Sequence, residues 1–133
     1  MMASFRGILV LIGICLLLAG CVRQFSDEQY IIVEQYTEGS YKKTKEIRDQ
    51  KKVKKISNLV KDIHWIDRTF GMERLADYQF YFQFTDPNIE AKVIPYELWV
   101  HSDKSVELTA GHRYAALDKT ESREVIKIIT EKN

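Results

Sequence analysis

Residues 78–84 (YQFYFQF) alternate without a break. Tyr78, Phe80, Phe82 and Phe84 point one way and Gln79, Tyr81 and Gln83 the other, which predicts a strand with one core face and one wet face. A second β-rich run, residues 30–37 (YIIVEQYT), leads into the turn residues Glu38-Gly39-Ser40, and the weak alternation over 41–48 reads as the returning arm of a hairpin. The period then changes. Val53, Ile56, Leu59, Val60 and Ile63 recur at spacings of three and four with lysines between them, so an amphipathic helix capped by Asp49 is expected, ending at residues 64–67. Residues 68–77 read as a long irregular connection, with Met72 and Leu75 over one end of the core or a binding surface in the loop itself.

After the aromatic strand, Asp86-Pro87-Asn88 turns the chain, and Ile89, Ala91 and Val93 alternate until Pro95 restricts that piece to an edge or a break. Residues 96–102 (YELWVHS), 106–109 and 113–117 read as further short strands separated by turns at 103–105 and 110–111. Asp118 followed by Glu121 matches a capping box, and Val125, Ile126 and Ile129 form the apolar face of a last helix. Strands that come in a block, not alternating with helices, predict an α+β fold: a mostly antiparallel sheet of about four to six strands with two helices packed on one face.

The N-terminus follows another logic. One positive charge, Arg6, precedes an apolar stretch, and Leu18-Ala19-Gly20-Cys21 follows it. This is the layout of a secretory signal ending in a bacterial lipobox: small residues where a peptidase grips the backbone, then a thiol. The uncharged run 7–22 is shorter than the roughly 20 residues that span a bilayer. The expected organisation is therefore a signal peptide over 1–20, cleavage between Gly20 and Cys21, a diacylglycerol thioether on Cys21, a short tether over 21–28 and a single domain over 29–133. Two acyl chains, at about 0.8 kcal/mol per buried CH₂, make such anchoring stable. Cys15 leaves with the signal and Cys21 is consumed, so no thiol remains for a disulfide.

Charge narrows the function classes. With Arg6 removed, basic and acidic residues balance, and no net field draws the chain to nucleic acid, which is not an expected partner. Basic residues nevertheless concentrate at Lys42, Lys43, Lys45, Arg48, Lys51, Lys52, Lys54 and Lys55, against only Glu46 and Asp49. That cluster reads either as a solvated helix face or as a surface for anionic headgroups.

Catalytic signals are sparse. His64, His101 and His112 lack metal-ligand spacing, and no phosphate loop, nucleophile elbow or Ser-His-Asp arrangement is present, so no enzyme, metal or cofactor is expected. Trp99, His101 and Glu97 share one face if 96–102 is extended, which makes them a candidate recognition surface or simply the outer face of a sheet with Trp99 under a loop. Tyr36, Tyr41, Tyr81 and Tyr96 add aromatic area suited to interfaces, although strand propensity explains them equally.

The lipobox and short tether, Glu46-Ile47-Arg48-Asp49 opening a Lys-rich helix, Ala76-Asp77-Tyr78, Tyr96-Glu97-Leu98-Trp99-Val100 and Tyr114 before a last helix together resemble the YhfM-like small lipoproteins of Bacillus and related Gram-positive bacteria. The resemblance covers nearly the whole mature chain. It implies a lipid-anchored protein at the extracytoplasmic face of the cell membrane, and carries over no functional residue except Cys21. The expected function is a non-enzymatic interaction module meeting a membrane-protein or cell-wall partner. The alternative is a small-ligand or wall-polymer binder.

Overall fold

A computed structural model describes residues 27–132. Strands β1 (Gln29–Thr37) and β2 (Ser40–Ile47) form a hairpin; α1 (Gln50–Asp62) leads to a two-residue strand β3 (Ile66–Asp67). Strands β4 (Tyr78–Phe84), β5 (Tyr96–Val100), β6 (Val106–Ala110) and β7 (Arg113–Ala116) follow, then α2 (Lys119–Val125) and a π-helical turn (Ile126–Thr130). All the strands belong to one sheet of order β2-β1-β4-β5-β6-β7-β3, antiparallel at every pairing. The α+β class holds. The sheet has seven strands where about four to six were expected, because Ile66–Asp67 adds one.

Local chemistry explains most of these elements. The β1–β2 turn places Glu38 at φ 51° and Gly39 at φ 89°, the two-residue turn whose twist matches the flanking strands. Asp49 caps α1 by accepting from Lys51 N at 2.9 Å. Asp118 and Glu121 form the expected capping box at α2. Val125 at the end of α2 and Ile128 and Ile129 in the π-helical turn are buried, while Ile126 packs only partly against the core.

Register places Ile31, Val33, Phe80, Leu98, Leu108 and Ala115 on one sheet face. They form a single buried cluster with Val53, Ile56, Leu59 and Val60 of α1 and with Val125, Ile128 and Ile129. Tyr96, grouped above with tyrosines suited to interfaces, lies on this core side, its ring stacked on Phe80 at 5.1 Å. Trp65 sits beside it, donating from Nε1 to the carbonyl of Val60 at 2.8 Å.

One local expectation is corrected and another is narrowed. Residues 66–67, read as the end of a helix, pair with β7 at the sheet edge, a contact between positions distant in sequence. Of the edge or break that Pro95 allowed residues 89–93, the structure takes the break: they form no strand, and β4 before them is already paired on both sides, with β1 and β5.

Candidate functional site

The opposite sheet face carries Tyr30, Ile32, Glu34, Tyr81, Glu97, Trp99, Glu107 and Tyr114. Over its β1–β2 half the surface is a mesh of charge and aromatic rings: Lys43 pairs with Glu46, and Arg48 binds Glu46 at 2.9 Å while its guanidinium lies 4.0 Å from the Tyr30 ring centre. Over β5 and β6, the face is crossed by the strap 68–77.

The strap is fastened by polar contacts from several elements. Arg68 N donates to the carbonyl of His112 at 2.7 Å, Trp99 Nε1 to that of Arg74 at 2.9 Å, and Tyr41 OH to that of Ala76 at 2.9 Å. Asp77 is the principal fastening. Its carboxylate accepts from Arg74 Nη1 at 2.6 Å and from Val100 N at 2.8 Å, and its own N–H donates to the carbonyl of Leu98 at 2.9 Å. Trp99 is buried to 2% exposure under this cover although it belongs to the wet side of the sheet.

Between strap and sheet lies a cleft of about 620 Å³, lined by Phe70, Gly71, Met72, Glu73, Arg74, Trp99, His101 and Glu107. The turn at residues 103–105 folds β6 back so that Trp99 opposes Glu107, and His101 Nε2 comes to 2.5 Å from Glu107 Oε2. Tyr114 OH donates to the other carboxylate oxygen, and the Tyr114 ring meets Phe70 edge-on at 5.3 Å.

Each partner acts on the protonation state of the next. Burial pushes the Glu107 carboxyl up, but hydrogen bonds from Tyr114 and His101 and the nearby charges of His101 and Arg74 outweigh it and hold Glu107 below the ordinary carboxylate range. Burial, followed by the hydrogen bond to Glu107 and its charge, drives the Tyr114 phenol up to about 12. Glu107 is therefore an ionised carboxylate and Tyr114 a neutral phenol donor, and because a carboxylate only accepts, His101 Nε2 is the donor of its contact with Glu107. Such a carboxylate is a weak base and the phenol a weaker acid. With both Glu107 oxygens already accepting, the cleft offers an aromatic floor, a cationic Arg74 and one free imidazole nitrogen, a set suited to recognising a polar group beside an apolar one.

Of the residues singled out in the sequence, Trp99 and His101 meet at this cleft. Glu97 lies on the same face, opposite Gln79 and Thr109, but outside the lining. Gly20 and Cys21 fall outside the described residues. Asp77 and Tyr114 entered the sequence reading only as motif residues of the resemblance, and Arg74 not at all; the signal for Glu107 was its polar position between Val106 and Leu108, opposite Trp99 across a short turn. Among the described residues, no cluster of His, Cys, Asp and Glu is placed to hold a metal ion, and no helix is long and apolar enough to cross a membrane. No protein family, curated protein or solved structure matches the chain.

Proposed function

We propose that this chain is a membrane-anchored extracytoplasmic lipoprotein, cut behind Gly20 and diacylated on Cys21, acting as a non-enzymatic interaction module through the cleft under the strap 68–77. The observation that carries the reading is Leu18-Ala19-Gly20-Cys21 behind a short apolar run, close to the first strand at Gln29. The cleft chemistry supports recognition over catalysis: Glu107 and Tyr114 are each held in one protonation state, so neither is poised for proton transfer near neutral pH. In this reading both helices lie on the face opposite the cleft, a placement supported by their shared cluster with Ile31, Phe80 and Leu98. Kinship with the YhfM-like lipoproteins belongs to the same reading; among its motif residues, Asp77, Trp99 and Tyr114 are the ones that build the strap and its floor.

Metabolic labelling with a palmitate analogue tests the anchor. Cys21→Ser is expected to abolish labelling, and unchanged labelling overturns it. A photo-crosslinker at Met72 in intact cells is expected to capture a defined membrane or wall partner, and His101→Ala to weaken that capture. A second reading, binding of a small ligand or wall polymer, is favoured by the volume of the cleft and its aromatic floor. It predicts that soluble wall fragments shift Trp99 fluorescence, and an unchanged spectrum at saturating fragment removes it.

A further inference from the structure

Beyond its Asp49 cap, the first turn of helix α1 is charged against the helix dipole. Its first turn contains Lys51 and Lys52 and no acidic residue, although the positive end of a helix favours carboxylates. Its solvent side presents Lys51, Lys54, Lys55 and Lys61, all exposed, with Asn58 and Asp62 among them. Lys55 approaches Glu124 at 3.9 Å, while Lys51, Lys54 and Lys61 form no ion pair with a described residue. Helix stability does not account for such a choice of charge.

The position of the helix supplies a reason. Gln50 Nε2 donates to the carbonyl of Gln29 at 2.9 Å, and the Glu28 carbonyl accepts from Thr85 N at 2.9 Å, so the chain enters the domain against the first turn of α1. A rise of about 1.5 Å per residue puts Lys51 to Lys55 within roughly 8 Å of that entry along the helix axis. Gln29 lies eight residues after Cys21, and a chain of that length averages about 15 Å end to end, roughly two Debye lengths at physiological ionic strength. An anchor at Cys21 thus delivers this lysine face to the lipid surface.

We propose that the lysine face of α1 docks on the anionic phospholipid headgroups of the membrane that holds Cys21, turning the cleft on the opposite sheet face outward. The inference rests on the lipoprotein reading above. Flexible ammonium groups with no aromatic or arginine among them suit a fluid array of phosphates better than a shaped protein partner, whose anchors are usually aromatic or Arg.

The test uses the full lipidated chain in phosphatidylcholine vesicles with and without phosphatidylglycerol. A fluorophore on Asn58→Cys, between Lys54 and Lys61, reads contact with a headgroup quencher, and one on exposed Gln83→Cys reads the opposite face. Quenching is expected at Asn58→Cys in anionic vesicles only, and to disappear at about 1 M salt, where the Debye length is about 3 Å. Combining Lys51→Gln, Lys54→Gln and Lys61→Gln is expected to lower the docked-to-undocked ratio about fivefold per lysine, on the order of 100-fold together. Equal quenching in both vesicle types, an unaffected triple variant or quenching at Gln83→Cys overturns the docking. Salt-sensitive capture of an acidic soluble protein without charge-dependent quenching assigns the face to that protein instead, and also overturns it. A chain that does not float with either vesicle overturns the anchor, a result distinct from a floating chain whose quenching ignores lipid charge.

Discussion

On the core side of the sheet, Phe80, Leu98 and Leu108 are fully buried in a single cluster that also holds Val53, Ile56, Val125 and Ile129. On the other side Trp99 is as dry, at 2% exposure, yet its cover is irregular backbone held by Asp77, Arg74 and Tyr41. The same degree of burial is thus reached by two different means. Helices bring an apolar stripe, whose area is worth about 25 cal/mol per Å² removed from water and carries no titrating group. The strap brings hydrogen bonds, each worth about 0.5–1.5 kcal/mol net and each dependent on particular partners. A cover of the second kind is the one that can open locally while the rest of the domain stays folded, so the side that carries the cleft is also the side built to yield.

The largest expected effect lies on the core side. Phe80→Ala removes a fully buried ring stacked on Tyr96 and is expected to lower stability by about 3–5 kcal/mol in urea unfolding. A smaller loss would mean that this side relaxes as the strap does, which breaks the contrast. Next is Asp77→Ala, which strips Arg74 and Val100 N of their acceptor; a loss of about 1–2 kcal/mol is expected, given its partial exposure, with a red shift of Trp99 emission and faster proteolysis within 68–77. A uniform loss without local cleavage would show that strap and core unfold as one.

The third prediction concerns pH. Glu107 is depressed below its ordinary 4.5, so its contribution is present above that value and is lost as pH falls through the folded pKa. Tyr114 is raised from 10.0 to about 12, so its contribution is complete below pH 10 and is lost as pH rises toward 12. Tyr41, Tyr78, Tyr81 and Tyr96 are also raised by burial, and therefore the informative quantity is a difference. Stability of Tyr114→Phe relative to the parent should improve between pH 10 and 12; parallel alkaline curves would sink the assignment. The smallest effect is expected from Glu124→Gln, which breaks only the exposed Lys55 pair and should change stability by no more than about 0.5 kcal/mol in the same urea measurement.

The two sides were also unequally legible. The core side could be read from the chain because its signals are local: the period of Val53, Ile56, Leu59 and Val60, the alternation of residues 78–84, the cap at Asp49 and the capping box at Asp118. The cleft was half legible. Trp99 and His101 could be placed on one face by strand parity, but Tyr114 comes from β7 and Asp77 from a loop, and no period connects them with Glu107. Residues 66–67 and 89–93 mark the same boundary from both directions. The first pair became a strand without any strand pattern, and the second stretch has an alternating pattern yet joins no strand.

Sequence alone determined the α+β class, the helix faces and the hairpin turns, because each depends on residues close together in the chain and on the fixed periods of helix and strand. Only the tertiary structure decided the strand order, the seventh strand, the strap over Trp99, the His101–Glu107–Tyr114 network and the position of the Lys51 to Lys55 run beside the chain's entry at Gln29. These are contacts between distant segments, selected by which apolar faces and polar groups can all be satisfied at once, and that selection has no local signature.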